Sequence, residues 1–505
     1  MDRREFIGLL ATGFAGSTML SSQSFAASQP ASVADDRVIV FINLSGGCDG
    51  LNMITPLGQY DQLAQYRANV IVPKNRLLTL DSNMGMHPSM TQMHSLFQAG
   101  ELAVVQGVSY PTPNMSHFRS KEIVWSGSSS GSFFETGWMG RQLENEHPDF
   151  PTNYPSSTNP DPLVLSFQSN PTATAQGGNG NFSTVTSDAS KIADFQEDTY
   201  SQYGLSDGRY DDEMDFLRTQ MELTVKYNQA VTDRYDMGPV VENTGGMSKD
   251  FASIVRLLKA GSKTKMFIID QPGYDTHGGQ VIEGDATLGV HADLLGELSD
   301  NIGKFMDDLK THGLQDRVVG LVSTEFGRRI MSNDSYGTDH GYGAPWLVFG
   351  SQVKGGVIGH SELIPDVVDD ATNVEMQYDY RNIYQTLLRN WFEVPSPAVS
   401  ASYENIYQEV PLFDSSMSIL KPNSEDEFNL KIDPTGTILR LESSRNQSGV
   451  VRVLDHRGRL RYQTRVSLVQ GVNTVQMKYR DLSAGRYVFQ ISTSEIQFSK
   501  SQLIR

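Results

Sequence analysis

Residue types that ligate divalent metals gather at four points along this chain, each next to glycine. Asp49 lies in Ser45-Gly46-Gly47-Cys48-Asp49-Gly50-Leu51-Asn52, and Asp275 and His277 lie in Gly273-Tyr274-Asp275-Thr276-His277-Gly278. Glu325 lies in Ser323-Thr324-Glu325-Phe326-Gly327-Arg328-Arg329, and Asp339 and His340 in Gly337-Thr338-Asp339-His340-Gly341. Each has a plain alternative on its own. An Asp after two glycines is a common turn residue, Asp-x-His arises by chance, a Glu at a strand end often caps the next helix, and Asp339 suits an ordinary loop. As a set, carboxylates with imidazoles suit zinc, manganese or iron better than calcium alone.

Ser116 follows Tyr110-Pro111-Thr112-Pro113-Asn114-Met115 and opens a helix-compatible run to Trp125. It stands where an N-cap belongs. The same place suits a nucleophile, because a hydroxyl at a helix N-terminus facing metal cations can ionise and attack an anionic centre while backbone N–H groups hold the anion. Arg119, Arg328 and Arg329 are candidates for bidentate pairing with a phosphate or sulfate, with Arg328 the expected catalytic partner of Ser116. Arg329 serves equally as a surface ion-pair partner, and His87, before Pro88 at a helix start, reads as structural.

Strand-like runs precede these motifs. Val38–Ile42, Leu102–Val108, Met266–Asp270 and Val318–Val322 are continuous and rich in β-branched residues, as expected of strands covered on both faces. Between the last two, Leu294, Leu295, Leu298, Ile302, Phe305, Met306 and Leu309 recur at helical spacing. Strand–helix–strand order predicts an α/β fold, doubly wound around a mostly parallel sheet. Ligands bind such sheets outside the carboxyl ends of the strands, where the four motifs fall. Residues 168–190 read as a polar surface insertion and 209–237 as a long helix. Together, within an insertion spanning roughly 150–245, they are expected to cap one end of the sheet.

The chain carries a net charge of −18 over 505 residues, which disfavours nucleic acid and anionic lipid as partners. From Ser415 onward the charge reverses to +6, against −24 for the remainder, which places a domain boundary near 415. Beyond it, Phe428–Ile432, Thr437–Leu441, Val450–Leu454, Leu460–Arg465, Asn473–Met477 and Arg486–Ile491 are short alternating runs between turns. They predict a small all-β, Ig-like sandwich over 415–505, after a large domain over 28–412. The first 27 residues read as a cleavable twin-arginine export signal: Arg3-Arg4 before Phe6-Ile7, a short apolar run Gly8–Gly16, and Ser24-Phe25-Ala26-Ala27. An amphipathic first helix is the alternative, but the run has several glycines and no polar face. No later stretch is apolar for 18 residues, so no transmembrane segment is expected after signal removal. The lone Cys48 leaves no internal disulfide.

The motifs around Asp49, Asp275-Thr276-His277, Glu325–Arg329 and Asp339-His340 resemble the DUF1501 family. So do Asn114-Met115-Ser116-His117-Phe118-Arg119-Ser120 and Tyr380-Arg381-Asn382-Ile383-Tyr384-Gln385-Thr386-Leu387-Leu388, and the resemblance runs from the export signal to about residue 395. Cys48 departs from the polar residue common there. The family is distantly similar to the alkaline phosphatase and sulfatase superfamily, which uses a two-metal site and a Ser, Thr or modified Cys nucleophile. The resemblance implies an alkaline-phosphatase-like sheet, Asp49 as the first-strand metal ligand, and Asp275 with His277 on a metal. Glu325 stands where the superfamily usually has an Asp-His pair, and no His follows it. Cys48 lacks the Cys-x-Pro-x-Arg setting of a formylglycine. Leu482-Ser483-Ala484-Gly485-Arg486-Tyr487-Val488 resembles the Gly-x-Tyr segment of type IX secretion sorting domains.

The expected function is therefore an exported, metal-dependent hydrolase of phosphate or sulfate esters, delivered by the export machinery to the periplasm or cell surface. Its expected metal ligands are Asp49, Asp275, His277, Glu325, Asp339 and His340. The alternative is a non-catalytic exported binding protein with a structural metal.

Overall fold

A computed structural model describes residues 36–168, 171–189, 211–394, 407–413 and the strands between 431 and 504. The export signal expected over 1–27 lies outside the described residues.

β1 (Val38–Ser45) and β2 (Leu102–Ser109) are buried along their whole length. β3 (Val164–Phe167), β4 (Ser183–Val185), β5 (Met266–Pro272) and β6 (Val318–Thr324) follow in the chain. A hairpin of β7 (Arg328–Ser332) and β8 (Thr338–His340) leads into β9 (Ala344–Phe349), β10 (Gly356–Ile358) and β11 (Tyr378–Asp379). Nine of these form one sheet in the order β10-β2-β9-β6-β1-β5-β3-β4, with β11 also beside β2. β9 runs antiparallel to both its neighbours, and the other pairings are parallel. The fold is thus a mixed α/β one around a large, mostly parallel sheet. Ile42 of β1 lies between Ile269 and Val322, so apolar side chains stack across the sheet centre.

The flanking helices are α1 (Thr91–Gln98), α2 (His117–Ser126), α3 (Trp138–Glu146), α4 (Asp211–Met237), α5 (Met247–Lys259), α6 (Val290–His312) and α7 (Tyr380–Thr386). α1, α5 and α6 cover one face of the sheet, and α2, α3 and α7 the other. α6 buries Leu295, Leu298, Ile302, Phe305, Met306 and Leu309, the row that its spacing foretold, and stops at Gly313 in the left-handed region. Each such buried side chain contributes about 1.5–3 kcal/mol.

Residues 168–190 depart from the expected surface insertion. They supply β4 at the sheet's edge, and Thr174, Ala175 and Phe182 are buried. The segment packs tightly on the α3 region: a Cβ on Gly137 or Gly140 there would fall about 2 Å from the Ala173 or Gln176 carbonyl oxygen. The long helix appears as α4, but it contacts β4 and α5 at the sheet's edge. Near the carboxy terminus, the described strands pair antiparallel in two groups. Lys431–Ile432, Ile438–Ser443 and Gly471–Gln476 form one, and Gln447–Asp455, Leu460–Leu468, Gly485–Thr493 and Gln497–Ile504 the other. No described helix is long and apolar enough to cross a membrane.

Gly320 of β6 makes room for the ring of Phe349 on β9, since a Cβ there would lie 2.0 Å from its Cζ. Gly320→Ala is expected to destabilise the protein by about 1–3 kcal/mol. An unchanged denaturation midpoint would show that this strand contact is looser than described.

Candidate metal centre

The loops at the carboxyl ends of β1, β5 and β6 converge. After β1 the backbone turns through Gly46 (φ 124°), whose added Cβ would meet the Asp275 amide nitrogen at 2.3 Å. Only glycine allows the β1 and β5 loops to touch here. The β7–β8 hairpin pairs Arg328 with His340 and returns that imidazole to the same end. From β2 the chain runs to α2, whose first residue is His117.

Three imidazoles surround the Asp275 carboxylate. His117 Nδ1 lies 3.0 Å from Glu325 Oε1, His277 Nδ1 2.9 Å from Asp339 Oδ1, and His340 Nδ1 2.9 Å from the Met115 carbonyl. Carboxylate and carbonyl oxygens only accept, so in each ring Nδ1 carries the proton and the neutral imidazole keeps a bare lone pair on Nε2. Those three Nε2 atoms point inward. They stand 3.3, 3.2 and 3.1 Å from the Asp275 oxygens for His117, His277 and His340, and the last two are 2.9 Å from each other. Buried His117 Nε2 has no hydrogen-bond partner. Imidazole nitrogens and a carboxylate converging at this range form a possible metal site. His117, Asp275 and His340 offer ligand atoms all within 4.8 Å of one another, and His277 joins their rim.

Burial lowers the His340 pKa, which favours the neutral ring that can ligate, whereas the Glu325 hydrogen bond raises that of His117, so an ion would have to displace a proton there. Burial pushes Asp275 up, but the Arg328 guanidinium hydrogen-bonded to it more than offsets that and keeps it ionised well below the usual carboxylate range.

The sequence-derived ligand set changes in three ways. Asp275, His277 and His340 come together as expected. Glu325 and Asp339 belong to the site but serve as acceptors that orient His117 and His277. Asp49 is placed elsewhere than expected: it is fully buried, with both oxygens 2.9 Å from the Arg67 guanidinium and Oδ2 2.6 Å from Gln280 Nε2, outside the group formed by His117, Asp275 and His340. His117 and Arg67 were missed. His117 was visible as the histidine beside Ser116, but nothing in spacing or composition marks Arg67 as Asp49's partner.

Arg328 is also reassigned. Buried at 1% exposure, it donates to the carbonyls of Gly46, Gly47, Tyr274 and Thr338 and to Asp275 Oδ1, so the guanidinium is committed to joining the loops. Arg329 bonds the His340 and Asp370 carbonyls. Arg119 bonds the carbonyls of Ser129, Ser130 and Ser132 and pairs with Glu122. Ser116 is the exposed N-cap residue of α2, but its hydroxyl makes no capping hydrogen bond. His87 is buried, as a structural residue should be, with Nδ1 accepting from the Ser89 amide.

A family model described as "Protein of unknown function (DUF1501)" matches residues 36–391. The chain belongs to the DUF1501 family. No curated protein matches this DUF1501 member in sequence. Among solved structures, it is similar to a protein in the alkaline phosphatase superfamily from Vibrio parahaemolyticus, at 11% identity and a TM-score of 0.30, covering 98% of this chain and 91% of that one. A sulfatase from Pseudoalteromonas gives 12%, 0.30, 88% and 84% on the same measures. A phosphonate monoester hydrolase from Silicibacter pomeroyi gives 9%, 0.30, 92% and 88%. Likenesses this weak carry no chemistry over to the DUF1501 chain.

Asp49 and Arg67 support a stability prediction. Burial raises the Asp49 pKa, but Arg67 more than offsets this and the net shift is downward. A depressed carboxylate stabilises the fold above its unfolded pKa of about 3.9, and that contribution is lost as pH falls through the folded value. Asp49→Asn is expected to cost about 3–5 kcal/mol at neutral pH, with the gap to wild type closing only below about pH 4. Denaturant titrations across pH test this. The folded variant should retain its metal, whereas a parallel loss of metal would return Asp49 to the ligand set.

Proposed function

We propose that this protein is a metal-dependent hydrolase of phosphate or sulfate esters. The observation that carries this reading is Ser116: an exposed hydroxyl, unused as a cap, at a helix N-terminus and immediately before the metal-facing His117. His117, His277, His340 and Asp275 would hold the ion, and this donor set suits zinc, manganese or iron better than calcium. A bound divalent cation would supply charge to stabilise an ionised hydroxyl and the anionic ester. The chain's part is positional. Glu325, Asp339 and the Met115 carbonyl fix the imidazole tautomers, and the first amides of α2 face an anion at the Ser116 side chain. Ser116 Oγ is then the attacking atom, displacing the alcohol from phosphorus or sulfur.

The same proposal places the enzyme outside the cytoplasm. It takes residues 1–27 as a twin-arginine signal and 415–505 as a β-sandwich that sorts the protein through type IX secretion. The large domain would run to Phe413, because Leu412 and Phe413 are buried and Phe413 stacks on Trp391.

Ser116→Ala is expected to keep fold and metal while lowering ester turnover on the order of 10³-fold or more. His117→Ala and Asp275→Asn are expected to lose both metal and turnover. Metal per chain, with hydrolysis of an aryl phosphate and an aryl sulfate, separates these outcomes. Turnover by Ser116→Ala at the wild-type rate would point to water as nucleophile, and a metal-filled wild type inert to both esters would favour a binding protein.

A chain ending after Phe413 is expected to fold, retain its metal and accumulate in the periplasm. Failure to fold would place the boundary elsewhere.

A further inference from the structure

Resting on that reading, we propose that Lys121 is the residue that holds the non-bridging oxygens of the anionic ester at this centre. The case begins with the cations already committed. Arg328 is filled by four carbonyls and Asp275, and Arg67 by Asp49 and the Ile330 and Arg329 carbonyls. Arg329 and Arg119 are likewise bound to backbone carbonyls. Arg328 and Arg67 cannot turn to a substrate without leaving buried acceptors unpaired, and Arg329 and Arg119 would have to give up the bonds they already make.

Lys121 differs. Its ammonium donates to Ser45 Oγ at 2.9 Å, and among the described residues it has no carboxylate within ion-pair distance. Two of its three N–H groups remain to be used. It lies four residues after His117 on α2, so both side chains leave the same side of the helix. Ser45 ties the ammonium to the end of β1, one residue before the loop that reaches the centre. The next residue, Gly46, donates its amide to Glu325 Oε1 at 2.9 Å, the same oxygen that orients His117.

The chemistry suits the role. A lysine ammonium is a compact charge on a flexible stem, able to exchange one hydroxyl partner for an incoming anion without disturbing the loops. A chain of net charge −18 repels anionic substrates at long range, so a local cation matters more here than on a neutral surface. Ser45 Oγ also hydrogen-bonds Asp270 and Asn43, so that hydroxyl keeps partners when the ammonium leaves it.

The test uses the full-length, metal-loaded protein with Lys121→Met and Lys121→Arg. Metal per chain, calorimetric binding of inorganic phosphate and sulfate, and KM and kcat on the matching aryl esters are measured. Lys121→Met should weaken the bound anion about tenfold or more and raise KM similarly, with metal and folding unchanged. Lys121→Arg should recover most of the loss. Unaltered anion binding in Lys121→Met would overturn the proposal, as would a wild type that binds neither anion. Equal impairment of both variants with loss of metal would assign Lys121 a structural role instead. Lys121-dependent anion binding in a protein that hydrolyses neither ester would leave this inference standing and remove the hydrolase reading.

Discussion

The guanidinium of Arg328 is the constraint on which the centre depends. Three loops meet at the carboxyl end of the sheet, and each presents carbonyl oxygens inward, where water cannot reach them. Arg328 gathers those of Gly46 and Gly47 after β1, Tyr274 after β5 and Thr338 in β8, and adds the Asp275 carboxylate. A planar, permanently charged group with five donors satisfies such a set, whereas a lysine in its place would leave carbonyls unpaired. The arginine thus acts as the joint that sets the distance between Asp275 and the hairpin carrying His340.

A second buried ion pair supports the same hairpin from behind. Arg67 binds Asp49 and also donates to the Arg329 and Ile330 carbonyls of β7. Gln280 extends this brace, donating to Asp49 while accepting from Thr276 and Thr338. The centre therefore has an outer layer facing solvent, made of imidazoles and the Asp275 and Asp339 carboxylates, and an inner layer in which Asp49 and Arg67 neutralise each other.

What the sequence discloses and what it hides follow from this layering. The strands were legible because parallel strands buried on both faces must be continuous apolar runs, as in Val38–Ile42 and Val318–Val322. Asp275, His277 and His340 were legible because metal-ligand types beside glycine at predicted strand ends are uncommon in combination. The role of Asp49 was not, since a carboxylate beside a centre and a carboxylate in the centre look alike until the partner arginine is placed. Arg328 misled in the opposite sense: a cation among acidic residues suggests an anion clamp, while its donors are spent on backbone. Residues 171–189 were misjudged because polar residues can also be buried when they bond one another, as Asn181 does with Thr172, Gln176 and Ser183.

The distribution of these groups along the chain has a consequence for assembly. Gly46, His117, Asp275, Glu325 and His340 share one cluster, yet almost 300 residues separate the first from the last. β9, which enters the sheet between β2 and β6, comes later still. A nascent chain that has emerged only as far as β5 carries His117 alone of the candidate ligands and no pocket. Contacts of such long range form late, once most of the domain is available to collapse. Capture of an ion at this centre would then be tied to completion of the large domain, so a partly synthesised chain would offer a wrong ion little to hold.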